Sequence, residues 1–121
     1  NAMAKSRAAT DLANIRSGYA AAIMAAMTDD VPEAGATYYL NADGSVTKDA
    51  ATDAYVCKGT SKKAADGSTV GGKFSVDPDA TAAADGTVYW EKDNTISYTV
   101  TRGTEETEYV PAVTGITATG K

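Results

Sequence analysis

Side chains able to hold a cation, move a proton or attack a substrate are few in this chain. Asp77-Pro78-Asp79, followed by Asp85-Gly86, places three carboxylates in one loop. Hard cations such as calcium take oxygen ligands from loops of this kind, but the spacing does not follow the EF-hand pattern, which needs further acidic positions and a closing Glu. The favoured reading is a polar turn, with Asp79 as N-cap of the segment from Ala80 to Ala84. Asp77, Asp79 and Asp85 stand behind it as a candidate calcium loop, and no other cofactor is expected. Asn41, Asp43 and Ser45 invite the same thought, yet Asn-Ala-Asp-Gly-Ser is ordinary turn chemistry and is assigned no site.

The catalytic inventory is thinner still. The chain has 0 His, so it lacks both the side chain whose unperturbed pKa suits proton transfer near neutrality and the commonest metal ligand. Cys57 has no His to activate it and no second cysteine to pair with, and it reads as a small buried hydrophobe. Glu105-Glu106 and Glu108 could in principle serve glycoside chemistry, but they flank turns and strand ends as solubilising charges. No phosphate-binding Gly-rich loop stands out. An enzyme is not expected.

Composition bounds the rest. At 121 residues the chain makes one domain with a single modest core. Much of its hydrophobic fraction is Ala, so Tyr89, Trp90 and Tyr98 are expected to supply much of the apolar area. A net charge of −5 with scattered basic residues argues against nucleic acid, which needs clustered Lys or Arg. No window holds the roughly 18 consecutive apolar residues of a membrane span.

The elements that must position these residues fall into two kinds. From Ala4 to Thr28, Leu12, Ile15, Tyr19, Ile23 and Met27 recur at steps of three and four, drawing one stripe down a helix. Arg7, Asp11 and Asn14 fall off that stripe, and Arg7 and Asp11 are spaced to pair on the exposed side. Gly18 inside the helix costs about 1 kcal/mol relative to Ala and marks a close approach of the sheet or a neighbour. The many alanines also permit close approach. Val31-Pro32 ends the helix.

Beyond it the signals are those of strands. Ala36 to Leu40 reads as a strand, Asn41 to Ser45 as its turn, and Ser45 to Thr47 as the return. Lys48 to Ala54 reads as a short helix or turn, Tyr55 to Lys58 as the end of that turn or a brief strand, and Thr60 to Lys73 as an exposed loop. Thr87 to Lys92 and Thr95 to Thr101, joined by Asp93-Asn94, predict a tight hairpin, with Ile96, Tyr98 and Val100 on the buried face. Tyr109-Val110, Val113 and Ile116 suggest a last strand interrupted at Pro111, which can sit only at an edge or bulge. Tyr38, Tyr39 and Tyr109 are candidates for a sticky surface patch, though packing is the commoner fate of tyrosine. The fold expected is therefore α+β: a long N-terminal amphipathic helix packed on an antiparallel sheet of about four strands.

The wording of the helix, Ala4-Lys5-Ser6-Arg7-Ala8-Ala9-Thr10-Asp11-Leu12-Ala13-Asn14-Ile15-Arg16-Ser17-Gly18-Tyr19-Ala20, resembles type IV pilins and pseudopilins. It is similar to the second half of their N-terminal helix. The matching wording covers about the first quarter of the chain, and the remainder matches only in architecture. Residues 1–3, Asn1-Ala2-Met3, read as the remnant of a cleaved tag. Residues 4–30 would be the C-terminal half of the family's helix, and residues 31–121 the β-rich part of the same domain. The resemblance implies a missing apolar half-helix with a methylated N-terminus. That half-helix would anchor the subunit in the membrane before assembly and then self-associate in the filament core.

The implied protein is a non-catalytic subunit of a surface or secretion filament, with other pilins and the assembly machinery as partners and contact with the membrane only through the missing anchor. Leu12, Ile15, Tyr19, Ile23 and Met27 would form its helix–sheet and assembly face. Without the missing segment the chain should stay monomeric. Many pilins of Gram-negative bacteria close their C-terminal region with a disulfide, and the lone Cys57 departs from that version. The rivals are a cell-surface binding or adhesion module that does not assemble, and a small hydrolase dependent on Glu105 or Glu106.

Overall fold

The computed structural model describes residues 2–29, 31–58, 73–74, 88–89 and 93–119. One helix, α1 (Ala2–Thr28), lies on a sheet built from β1 (Ala36–Leu40), β2 (Val46–Lys48), β5 (Thr95–Thr101) and β6 (Ala112–Thr119). The order across this sheet is β2-β1-β5-β6, and every pairing is antiparallel. The architecture is thus α+β, a helix covering one face of a four-stranded antiparallel sheet. A second sheet of two strands joins β3 (Lys73–Phe74) to β4 (Val88–Tyr89).

The helix meets the sheet along a different line from the stripe of large apolar residues. Asp11, Ile15, Gly18, Ala22 and Ala26 are its buried residues, at steps of four, three, four and four. Tyr19 and Ile23 are partly buried against the core, and Met27 is 59% exposed, so Met27 does not belong to the helix–sheet face. Only Ile15 of the predicted stripe is fully enclosed, and the side chain of Leu12 lies outside the described residues. The physical reason is close approach: small residues occupy the line of contact, which lets the backbone near the sheet, and larger ones flank it. Among the described side chains, the buried ones of the helix span residues 11–26, about four turns, shorter than the long packed helix anticipated.

Asp11 is the sharpest departure. Expected on the exposed side opposite Arg7, it is 0% exposed.

The sheet core is Tyr38 and Leu40 from β1, Ile96, Tyr98 and Val100 from β5, and Val113 and Ile116 from β6. The alternation of Ile96, Tyr98 and Val100 holds as read. Val113 and Ile116 are three apart, and strict alternation would put them on opposite faces. A bulge reconciles them: Thr99 pairs with Gly115 but Val100 pairs with Val113, leaving Thr114 as the extra residue. Pro111 stands just before β6, where its missing N–H interrupts no ladder.

The tight hairpin across Asp93-Asn94 does not join β5 to its predicted partner. Both sides of β5 are taken, by β1 and β6, while Val88–Tyr89 pairs with Lys73–Phe74. Asp93 and Asn94 are instead tied to Cys57: the Asp93 N–H donates to the Cys57 carbonyl and the Cys57 N–H to the Asn94 carbonyl, both at 2.9 Å. Residues 49–53 form bends rather than a short helix, and Ala54 bridges to Asn41. The loop predicted over residues 60–73 lies almost wholly outside the described residues.

Candidate functional site

Two places gather polar or exposed side chains in an arrangement that needs explaining. The first is buried, between α1 and the segment leading out of Ala54. Asp11 Oδ1 accepts the Tyr55 hydroxyl at 2.6 Å and the Lys58 N–H at 2.8 Å. Beside it, the Tyr98 hydroxyl donates to the Ile15 carbonyl at 2.6 Å. Near the end of the helix the Tyr38 hydroxyl donates to Asp29 Oδ2, also at 2.6 Å. Three phenols thus reach up from the layer below, to residues 11 and 15 of the helix and to Asp29 just past its end. Burial of these hydroxyls is tolerable because each has a partner.

Gly18 belongs to the same arrangement. A Cβ there would run into the Tyr98 hydroxyl and stand 2.7 Å from Leu40 Cδ1. The glycine is the notch that receives Tyr98, the close approach anticipated from its cost.

These contacts fix the protonation of the groups involved. Burial, then the hydrogen bond to Asp29, pushes the Tyr38 phenol from 10.0 up to about 12. Tyr55 and Tyr98 move further in the same direction, burial again being the first cause. Burial, then the charge of Asp11, pushes the Cys57 thiol from 9.0 up to about 12. Cys57 is 1% exposed and is an inert core residue, as read.

The sign of the pH dependence follows. Each group holds its proton more firmly folded than unfolded, so its contribution to stability is complete below the unfolded value and disappears as pH rises through the folded one. We expect alkaline unfolding to begin above about pH 9–10, where the unfolded thiol and phenols ionise. Following circular dichroism with phenolate absorbance from pH 8 to 12 checks this: ionisation of the buried tyrosines should accompany loss of structure. Their titration near pH 10 with the fold intact would contradict it.

The second place is on the surface, where α1 ends. A groove of about 200 Å³ is lined by Ala26, Met27, Asp29, Val31, Arg102, Gly103, Tyr109 and Pro111. A second hollow of about 380 Å³ shares Arg102, Gly103 and Tyr109 and adds Glu33 and Thr104. Two exposed apolar side chains line it, Met27 at 59% and Tyr109 at 61% exposure. The loop behind the groove is strained, since Glu108 and Tyr109 both have positive φ, 57° and 62°. The Tyr109 N–H, donating to the Thr104 carbonyl at 2.7 Å, and the close passage of Gly103 against the Tyr109 backbone hold it there.

The remaining sequence candidates are dispersed. Asp77, Asp79 and Asp85 lie outside the described residues. Among the described residues no cluster of His, Cys, Asp and Glu could hold a metal ion. Glu105 and Glu106 open an exposed 3-10 turn, η1 (Glu105–Thr107). Tyr38 is buried, Tyr39 is half-buried and only Tyr109 is exposed, so the three do not form a patch.

Asn41, expected only as turn chemistry, is 4% exposed and acts as a hub. Its Nδ2 donates to Ser45 Oγ and Thr47 Oγ1, and its Oδ1 accepts the N–H groups of Thr52 and Asp53 at 3.0 and 3.2 Å. The turn itself forms as read, with Ser45 donating from both N–H and hydroxyl to Asp43 Oδ1 and Gly44 at φ 88°. These bonds account for the polar hollow of about 300 Å³ over Asn41, Asp43 and Asp53.

What the arrangement offers chemically is cohesion inside and an apolar landing surface outside. No family model, curated protein or solved structure matches the chain. No helix among the described residues is long and apolar enough to cross a membrane.

Proposed function

We propose that this chain is the globular part of a non-catalytic filament subunit of the type IV pilin or pseudopilin kind, presented at the cell surface or in a secretion filament. The observation that carries the reading is the order and packing of the elements. One N-terminal helix is clasped by an antiparallel sheet over residues 11–26, while the described side chains before that stretch, Arg7 and Thr10, are exposed. The wording from Ala4 to Ala20 supports the same reading, and assembly would run through an apolar half-helix preceding it, which also serves as membrane anchor before incorporation.

The test is the native gene immediately upstream of the codon for Ala4. A short basic leader followed by about 20 apolar residues, with a Glu near their start, is the expected result. An ordinary secretion signal, or a start codon at Met3, would overturn the proposal.

A second reading, a surface binding module that does not assemble, draws on the groove around Arg102 and Tyr109. Exposed apolar side chains concentrated at one hollow are the usual mark of a contact surface. Retention of a specific glycan or protein by this chain, lost on Tyr109→Ser, would favour it.

A further inference from the structure

The three phenols contact the helix at widely separated points, and the separation is what matters. Asp11 lies 17 residues before Thr28, the last residue of α1, about 26 Å along the helix axis, and Asp29 follows directly. Tyr55 lies in the segment after Ala54, Tyr98 in β5 and Tyr38 in β1, so the helix is pinned from three different parts of the chain. Tyr38 and Tyr98 are direct cross-strand partners, yet Tyr98 bonds the helix at Ile15 and Tyr38 bonds Asp29 just beyond its end, so they reach in opposite directions. Between them Gly18 receives the Tyr98 hydroxyl, and no other buried position of the helix is a glycine.

Packed helices slip past neighbours in steps of one turn, about 5.4 Å, when two registers are of similar energy. Here a one-turn slip would bring a side chain opposite Tyr98 in place of the Gly18 notch, and would part all three hydroxyls from their acceptors together. The contact has one register.

We propose that Tyr38, Tyr55 and Tyr98, with the notch at Gly18, form an axial lock that lets the domain bear tension along α1 without the helix sliding through the sheet. The proposal deepens the filament reading and rests on it for the origin of the load, although the lock itself can be measured in the isolated chain. Under axial pull the three bonds share the load and must fail together. When the helix is peeled from one end they fail in turn, and the farthest has no part in the first step.

Single-molecule force measurements on this chain separate the two cases. Axial load is applied between the amino terminus and a thiol introduced by Arg102→Cys, which lines the groove beside Ala26 and Met27 where the helix ends. Peeling load is applied between the amino terminus and Lys58→Cys, beside Asp11; Cys57, being buried, does not compete for the attachment. Tyr38→Phe is expected to raise the axial unfolding rate at fixed force about tenfold while leaving the peeling rate within about twofold. Tyr39→Phe is the control, since that phenol makes no bond to the helix among the described residues.

Equal axial rates for Tyr38→Phe and Tyr39→Phe, or equal acceleration by Tyr38→Phe in both geometries, would overturn the lock in favour of plain packing. Tyr55→Phe gives a second axial measurement should Tyr38→Phe fail to fold. A lock found in a protein whose gene encodes no apolar half-helix would stand while the filament reading fell.

Discussion

Gly18→Ala should destabilise the domain by about 2–3 kcal/mol, where the same change at an exposed helical position would stabilise it by about 1 kcal/mol. The favourable part is the usual helix propensity of alanine. Against it, the added methyl meets the Tyr98 hydroxyl and Leu40 Cδ1, and both are 0% exposed with little freedom to move aside. The Tyr98 hydroxyl is also held by the Ile15 carbonyl, so displacing it sacrifices that bond as well, worth about 1 kcal/mol. For a domain of this size the net effect is a fall in melting temperature of roughly 10 °C. Urea and thermal denaturation of the two proteins measure it. A more stable Gly18→Ala protein would mean that the helix stands further from the sheet than the structure places it.

Asp11→Ala should cost about as much or more, about 2–4 kcal/mol, because it strands one buried and one part-buried donor at once. The Tyr55 hydroxyl and the Lys58 N–H both point at Oδ1, and leaving a buried donor unpaired costs about 1–3 kcal/mol apiece. That is a large part of the 5–15 kcal/mol typical of a folded domain. Asp11→Asn keeps an acceptor oxygen in place and is expected to lose only about 1 kcal/mol, the charge-assisted share of the two bonds. Amide exchange supplies a local readout: protection of the Lys58 N–H should fall sharply in Asp11→Ala and survive in Asp11→Asn. Similar stabilities for the two variants would show that the aspartate contributes by packing alone.

The features legible in the sequence were those governed by local chemistry. The strand at Ala36–Leu40, its Asn-Ala-Asp-Gly-Ser turn, the alternation of Thr95–Thr101 and the end of the helix before Pro32 all follow from rules acting within a few residues. What escaped was set by partners far away in the chain. Asp11 looks like half of a surface ion pair until Tyr55 and Lys58 are known to sit beneath it. Val88–Tyr89 and Thr95–Thr101 look like two arms of one hairpin until β1 and β6 claim both sides of the second.

The helix face was misjudged for a different reason. A search for large apolar residues favours Tyr19, Ile23 and Met27, whereas tight contact with a sheet needs small ones at the centre. The signal was present in Gly18, Ala22 and Ala26, which lie on one line at helical spacing. Of the buried site, Gly18 was the part that could be read beforehand. The phenols could not, since nothing in a tyrosine's immediate neighbours says where its hydroxyl will go.

The lengths of chain between the pinned groups set a timetable for folding. Tyr55 lies 44 residues beyond Asp11, and Tyr98 lies 83 beyond Ile15. During synthesis, which proceeds at roughly 5–20 residues per second, the helix leaves the ribosome long before the strand that must close over it exists. Its Ala-rich sequence can coil and uncoil in the meantime; Tyr38 and Tyr55 become available first, but the Gly18 notch stays unfilled until β5 brings Tyr98. The helix is therefore made before the strands that cover it and is fully secured only after β5, and throughout that interval its small-residue face stands open to any other nascent chain.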